Sequence, residues 1–171
     1  ARGVNWLDGL VLTHGDAAHI GGAAALLTDF RPRQLIDAAA TDRPPFHRKF
    51  LEFVANEKHA FRSCRAGDEF KISQDVTARV LFPPENFQGD RADDQALVIE
   101  VLIGGRRRVL LMSDSGEATE NWLLQNYPDL RTDLLIKGQH HSGISGTPGL
   151  LDCVRPQAII ATSRDFPESE R

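Results

Sequence analysis

Six histidines are the first residues in this chain of 171 to suggest chemistry, because imidazole is the commonest protein metal ligand. Four of them directly follow apolar runs, where a strand end presents a side chain to a cleft. His14 and His19 follow L-D-G-L-V-L-T at 7–13, and His140 and His141 follow Leu134–Ile136. His47 and His59 fall in a helical stretch and read as surface residues. The segment T-H-G-D-A-A-H-I-G-G also supplies Asp16, so His14, Asp16 and His19 share one turn at a strand mouth and can converge on metal. Asp114 ends another apolar run and completes a mixed nitrogen and carboxylate set of the kind favoured by zinc, manganese or iron. A plainer reading of the first segment makes Asp16 the N-cap of the next helix, with His14 and His19 capping it too. The joint placement of all six residues at strand ends favours the metal site.

The elements that must position these groups follow from periodicity. Leu7–Thr13 reads as a buried strand, and the Gly- and Ala-rich stretch Ile20–Leu27 as a helix packed closely on a sheet. Gln34–Asp37 is a short strand. Phe46, Phe50, Phe53, Val54 and Phe61 have the spacing of a one-sided helix, started by Pro44 and Pro45. Phe70–Phe82 alternates with a period of two around Ser73, Gln74 and Asp75, which predicts a hairpin. Ala96–Ile103 and Val109–Met112 form a second hairpin across Gly104-Gly105 and three arginines, and its second strand delivers Ser113 and Asp114. Glu117–Tyr127 reads as a helix, Leu134–Ile136 as a strand, Pro148–Val154 as a helical turn and Ala158–Thr162 as a last strand.

Composition narrows the function classes. Apolar residues make up 41% and charged residues 26%, as in an ordinary globular protein, so a packed core is expected. The formal charge of −4 gives no global basic field, and any polyanion site must be local. No apolar run approaches the roughly 20 residues of a membrane helix, which points to a soluble piece. Cys64 and Cys153 match no zinc-knuckle spacing and read as buried thiols. The ragged ends, with no initiating Met before Ala1, predict a fragment: one domain over residues 1–171.

H-x-D-x-x-H-I-G-G at 14–22 resembles the H-x-H-x-D-H-x-G-G signature of the metallo-beta-lactamase superfamily. More narrowly, R-G-V-N-W-L-D-G-L-V-L-T-H-G-D-A-A-H-I-G-G is similar to the entry of the C-terminal hydrolase domain of ComEC-type DNA-internalisation competence proteins, where aspartate replaces the second histidine, as Asp16 does here. Three later segments match in order: D-D-Q-A-L-V-I resembles N-D-Q-S-L-V-L, V-L-L-M-S-D resembles F-L-L-T-G-D, and L-L-I-K-G-Q-H-H-S-G resembles L-K-V-x-H-H-G-S. The resemblance implies an α+β fold, a metallo-beta-lactamase-like αββα sandwich lacking its N-terminal strands, with metals at one edge. It implies His14, Asp16 and His19 as ligands, Asp114 as a bridge between two ions, and His140 closing the second site with His141 as the fallback. Asp16 and Asp114 are then the catalytic carboxylates, one or two divalent ions (zinc or manganese) the cofactor, and hydrolysis by metal-bound hydroxide the chemistry. Single-stranded DNA is the implied partner, no nucleotide cofactor is implied, and the whole protein is expected to tether the domain to a channel in the bacterial inner membrane.

Several positions depart from that pattern. The aspartate beside the motif's last histidine is Ala18, which cannot coordinate metal. H-H-G-S becomes H-H-S-G at 140–143, and T-G-D becomes M-S-D at 112–114. The family asparagine corresponds to Asp93, read by default as an exposed loop residue and otherwise as a compensating carboxylate. Arg106–Arg108 reads as a solvated turn rather than a phosphate clamp. Two function classes follow: a phosphodiesterase or nuclease domain of a DNA-uptake protein, or a degenerate domain with a structural or DNA-guiding role. A hydrolase of small phosphodiesters is a variant of the first.

Overall fold

The computed structural model describes residues 3–40, 43–138, 140–141 and 143–161. Among them, β1 (Gly9–Leu12), β2 (Gln34–Ala38) and β3 (Phe61–Cys64) form a parallel three-stranded sheet in that order. The second sheet runs β4 (Glu69–Ser73), β5 (Val76–Phe82), β6 (Val98–Ile103), β7 (Arg107–Ser113), β8 (Leu134–Lys137), β9 (Ala158–Ala161). Its first four strands pair antiparallel in sequence order, whereas β7, β8 and β9 are parallel. The parallel pairs need crossovers. These are α4 (Glu117–Asn126) between β7 and β8 and α5 (Pro148–Val154) between β8 and β9. In the smaller sheet, α1 (Ala17–Ile20) and α2 (Ala23–Phe30) link β1 to β2, and α3 (Pro45–Asn56) links β2 to β3.

Strand alternation sorts the core into layers. Ile36, Ala38 and Cys64 from the small sheet meet Ala78, Val80, Leu97 and Ile99 from the large one. The opposite face of the small sheet takes Ile20, Ala23, Leu27, Phe50 and Val54 from its helices. The opposite face of the large sheet packs Leu110, Met112 and Leu135 under Leu123, Leu150 and Val154. Helix, sheet, sheet and helix therefore stack in the αββα order the resemblance implied. No described helix is long and apolar enough to cross a membrane.

Several local expectations change. The Gly21-Gly22 pair, poor in helix propensity, splits the expected Ile20–Leu27 helix into α1 and α2. α3 stops at Asn56, and Phe61 opens β3 instead of extending the helical stripe. β3 was unforeseen because F-R-S-C buries Cys64 alone, leaving no alternation to read. His47 is not a surface residue. It shares the inward stripe with Phe50 and Val54 at spacings of three and seven, and is 1% exposed, while Phe46 faces solvent. Both cysteines are free thiols, Cys64 buried and Cys153 half-buried. Thr162 of the expected last strand lies outside the described residues.

Candidate metal centre

The C-terminal ends of β1, β7 and β8 meet at one edge of the sandwich. β7 and β8 are parallel, with Ser113 paired to Lys137, so the residues after them emerge side by side. The small sheet is stitched to the same edge by Leu97 N donating to Thr13 O (2.7 Å) and Ser113 Oγ donating to Thr13 Oγ1 (2.9 Å). This brings four chain segments to one place: 13–19, 93–94, 113–116, and the described residues 138 and 140–141.

His14 sits at the centre, 2% exposed. Its Nδ1 lies 3.0 Å from Thr13 Oγ1 and 3.3 Å from Ser113 Oγ, which fixes the ring. Nε2 then points at Asp93 Oδ1 (3.8 Å) and Asp114 Oδ2 (4.0 Å), and finds no hydrogen-bond partner among the described residues. Burial, and then the neighbouring His19, lower the His14 pKa against the pull of Asp114, Asp93 and Asp16, which favours the neutral imidazole that a metal ligand requires. A buried ring nitrogen without a partner is costly. A cation among the carboxylates removes that cost.

Asp16 takes the N-cap position of α1 with an extended backbone, but its side chain makes no capping bond. Its carbonyl receives the amides of His19 and Ile20, and its carboxylate remains with the site. His19 is half-exposed and places Nε2 2.9 Å from Asp114 Oδ2, with its ring 4.2 Å from that of His14. Two groups of donor atoms, each within 4.8 Å of one another, could hold a cation: His14, His19 and Asp114, and His14, Asp16 and Asp93. The donors are mixed imidazole and carboxylate, which fits a divalent first-row ion.

Among the described residues, the late histidines belong to neither donor group. His140 is buried, with Nε2 3.0 Å from Asp94 Oδ1. Its ring is sandwiched by Gly116 and Gly143, where an added Cβ would stand 2.8 Å from ring atoms. His141 is exposed, and its backbone amide donates to Asp93 Oδ2 at 2.9 Å. Its residue lines a groove of about 270 Å³ together with Asp16, Pro44, Arg91, Ala92 and Asp93.

Four participants were missed or misjudged from sequence. Asp93 is no exposed loop residue but 3% exposed, on a 3-10 turn over Asp93–Gln95 that points it inward. Asp94 was not considered. Lys137 is fully buried beneath the site, with Nζ donating to Ser115 O. Burial pulls its pKa down to about 8 despite Glu120, Asp114 and Asp93. Buried Asp37, at the end of β2, lies 3.0 Å from His47 Nε2 and 3.5 Å from Arg43 Nε. His47 packs so closely under Gly15 that a Cβ there would stand 2.3 Å from its Nδ1, fixing the loop that carries His14 and Asp16.

Ser113 explains one of the sequence departures. Its φ is +50°, the left-handed region that glycine enters freely, and it stands where the resembling motif has glycine. The hydroxyl thereby gained is the one that reaches Thr13 and His14.

No family model matches the chain. It is 27% identical over 163 residues to ComE operon protein 3 of Bacillus subtilis (strain 168), covering 95% of this chain and 21% of that protein. It is also 27% identical over 157 residues to Recombination protein 2 of Haemophilus influenzae (Rd), covering 92% of this chain and 18% of that protein. The chain thus spans about a fifth of the length of these curated relatives. Among solved structures, CmlA, a diiron beta-hydroxylase from Streptomyces venezuelae, superposes with a TM-score of 0.63 at 14% identity, covering 96% of this chain and 37% of that one. Its E377D mutant superposes equally well.

Proposed function

We propose, from the premise that this chain has the metallo-beta-lactamase fold and resembles the ComEC-type competence proteins, that it is a metal-dependent phosphodiesterase acting on single-stranded DNA within a longer DNA-uptake protein. The observation that carries the reading is the buried, unpartnered Nε2 of His14 aimed between the carboxylates of Asp93 and Asp114. His14 with His19 and Asp114, or His14 with Asp16 and Asp93, would hold the cation. A divalent ion bound there supplies Lewis acidity toward a phosphoryl oxygen and a stronger water nucleophile near neutral pH.

The remaining roles belong to the chain itself. Thr13 and Ser113 hold the His14 ring, and Lys137 offsets part of the carboxylate charge gathered beneath the site. The groove bordered by Arg91 and His141 opens on Asp16 and Asp93, and Arg91 is its cationic group for binding a phosphate. The groove carries one arginine rather than a broadly basic surface, which suits a single strand passing the ion better than a duplex lying on a positive face. In the full-length protein such a domain would be tethered beside a membrane channel.

The test is cleavage of single-stranded DNA, and of a small phosphodiester, by the chain loaded with Mn²⁺ or Zn²⁺. His14→Ala and Asp114→Ala are expected to lose more than the roughly 10- to 100-fold that removing a supporting residue costs. Turnover insensitive to both substitutions refutes the assigned centre. A loaded, folded chain that cleaves neither substrate refutes the enzyme reading in favour of a non-catalytic domain, the outcome that Ala18 favours.

A further inference from the structure

We infer that this chain holds one divalent cation, not two, centred on His14 Nε2. The inference rests on the metal-dependent reading above and concerns the number of ions.

Both donor groups in the site require His14. Its Nδ1 is engaged by the hydroxyls of Thr13 and Ser113, so the nitrogen the two groups share is Nε2. An imidazole nitrogen offers a single in-plane lone pair and ligates one ion. The groups therefore cannot each hold a cation at the same time. Either carboxylate is within reach of an ion on that nitrogen: Nε2 lies 3.8 Å from Asp93 Oδ1 and 4.0 Å from Asp114 Oδ2. Ligand atoms on a common ion with bonds of about 2.1 Å are separated by roughly 3.0 to 4.2 Å. Asp93 and Asp114 fall in different groups, so an ion beside Nε2 takes its carboxylate ligands from one group or the other, and the groups are alternative seats for a single ion.

A second ion would need donors of its own. Whichever group takes the ion beside Nε2, the other keeps two donors among the described residues: His19 and Asp114, in contact at 2.9 Å, or Asp16 and Asp93. Position 18 offers only a methyl group. His140, the expected closing ligand, has Nε2 3.0 Å from Asp94 Oδ1 and joins neither donor group among the described residues. Two donors fall short of the three protein ligands that even an open catalytic site uses. Asp114 therefore has no pair of ions to bridge.

The experiment is direct counting. The 171-residue chain is titrated with Mn²⁺ alone and with Zn²⁺ alone by calorimetry, bound metal is measured after dialysis, and electron paramagnetic resonance is recorded on the Mn²⁺ form. The expected result is one equivalent per chain, an uncoupled Mn²⁺ signal, about tenfold or weaker binding in Asp93→Asn, and a second equivalent in Ala18→Asp. Two equivalents or an exchange-coupled signal in the unsubstituted chain overturns the single-ion inference while leaving the metal-dependent reading intact. An Ala18→Asp chain that still takes up one ion overturns the explanation given for the missing second site. No uptake of either metal by a chain shown to be folded by its cooperative thermal transition overturns both.

Discussion

Replacing Gly138 by alanine perturbs the centre without altering a ligand. A Cβ at this position would stand 1.6 Å from Asp114 Oδ1, 2.8 Å from its Cγ and 3.2 Å from the Ser113 carbonyl oxygen. Carbon and oxygen atoms in ordinary contact stay about 3.3 Å apart, so the carboxylate oxygen must withdraw by roughly 1.7 Å. It can do so by rotating, because it is the end of a side chain, and the fold should lose no more than about 1–3 kcal/mol. The metal cannot tolerate the same rotation, since ligand distances in a working site hold to about 0.2 Å. Gly138→Ala should therefore weaken Mn²⁺ or Zn²⁺ binding by at least about 100-fold, the upper end of what supporting residues contribute. Calorimetric titration reads the affinity, and metal-free thermal unfolding reads the stability. Binding within about threefold of the unsubstituted chain would show that Asp114 is not a ligand. Loss of the unfolding transition would show that Gly138 serves the fold rather than the site.

Lys137 gives a pH-dependent expectation. Its pKa falls from 10.5 to about 8 on folding, so below about pH 8 both states are protonated and the burial penalty is felt in full. Between about 8 and 10.5 the unfolded chain binds the extra proton, and stability rises with pH by an amount on the order of 3 kcal/mol. Metal-free urea unfolding should show this rise relative to Lys137→Met, and a difference between the two chains that stays constant from pH 7.5 to 10.5 contradicts it. Ser113→Gly relieves a left-handed backbone worth roughly 1–2 kcal/mol but removes the hydroxyl on His14 Nδ1. Its stability should stay within about 1 kcal/mol while metal affinity drops about tenfold, and unchanged affinity would remove the hydroxyl from any role at the centre.

The αββα order was legible because its signals are local. Alternation in β5, apolar runs in β6 and β7, and the proline start of α3 each depend on a few consecutive residues. β3 and the burial of His47 were not, for opposite reasons. The strand F-R-S-C is held by pairing to β2 and buries a single side chain, so its conformation is imposed by a neighbour. His47 lies on the inward stripe of α3, yet an imidazole there looks like a polar interruption until Asp37 is known to face it.

The same distinction separates the halves of the site. His14, Asp16, His19 and Asp114 could be chosen from sequence because each ends an apolar strand or opens the helix after one, and strand ends converge in any sheet sandwich. Asp93 has no such marker. It sits in D-D-Q between polar residues, where solvent exposure is the ordinary expectation. Its burial comes from contacts far away in sequence: Oδ2 receives the amide of His141, and Oδ1 faces His14. That arrangement also gives the two late histidines different partners. By holding the His141 backbone with Asp93 and the His140 ring with Asp94, the turn uses both of its carboxylates to order the 140–141 segment. The late histidines, expected as ligands of a second ion, thus make their contacts to the carboxylates of this turn. The acidity missing at Ala18 therefore cannot be judged from the first motif alone, because the charge that surrounds His14 arrives from a different segment.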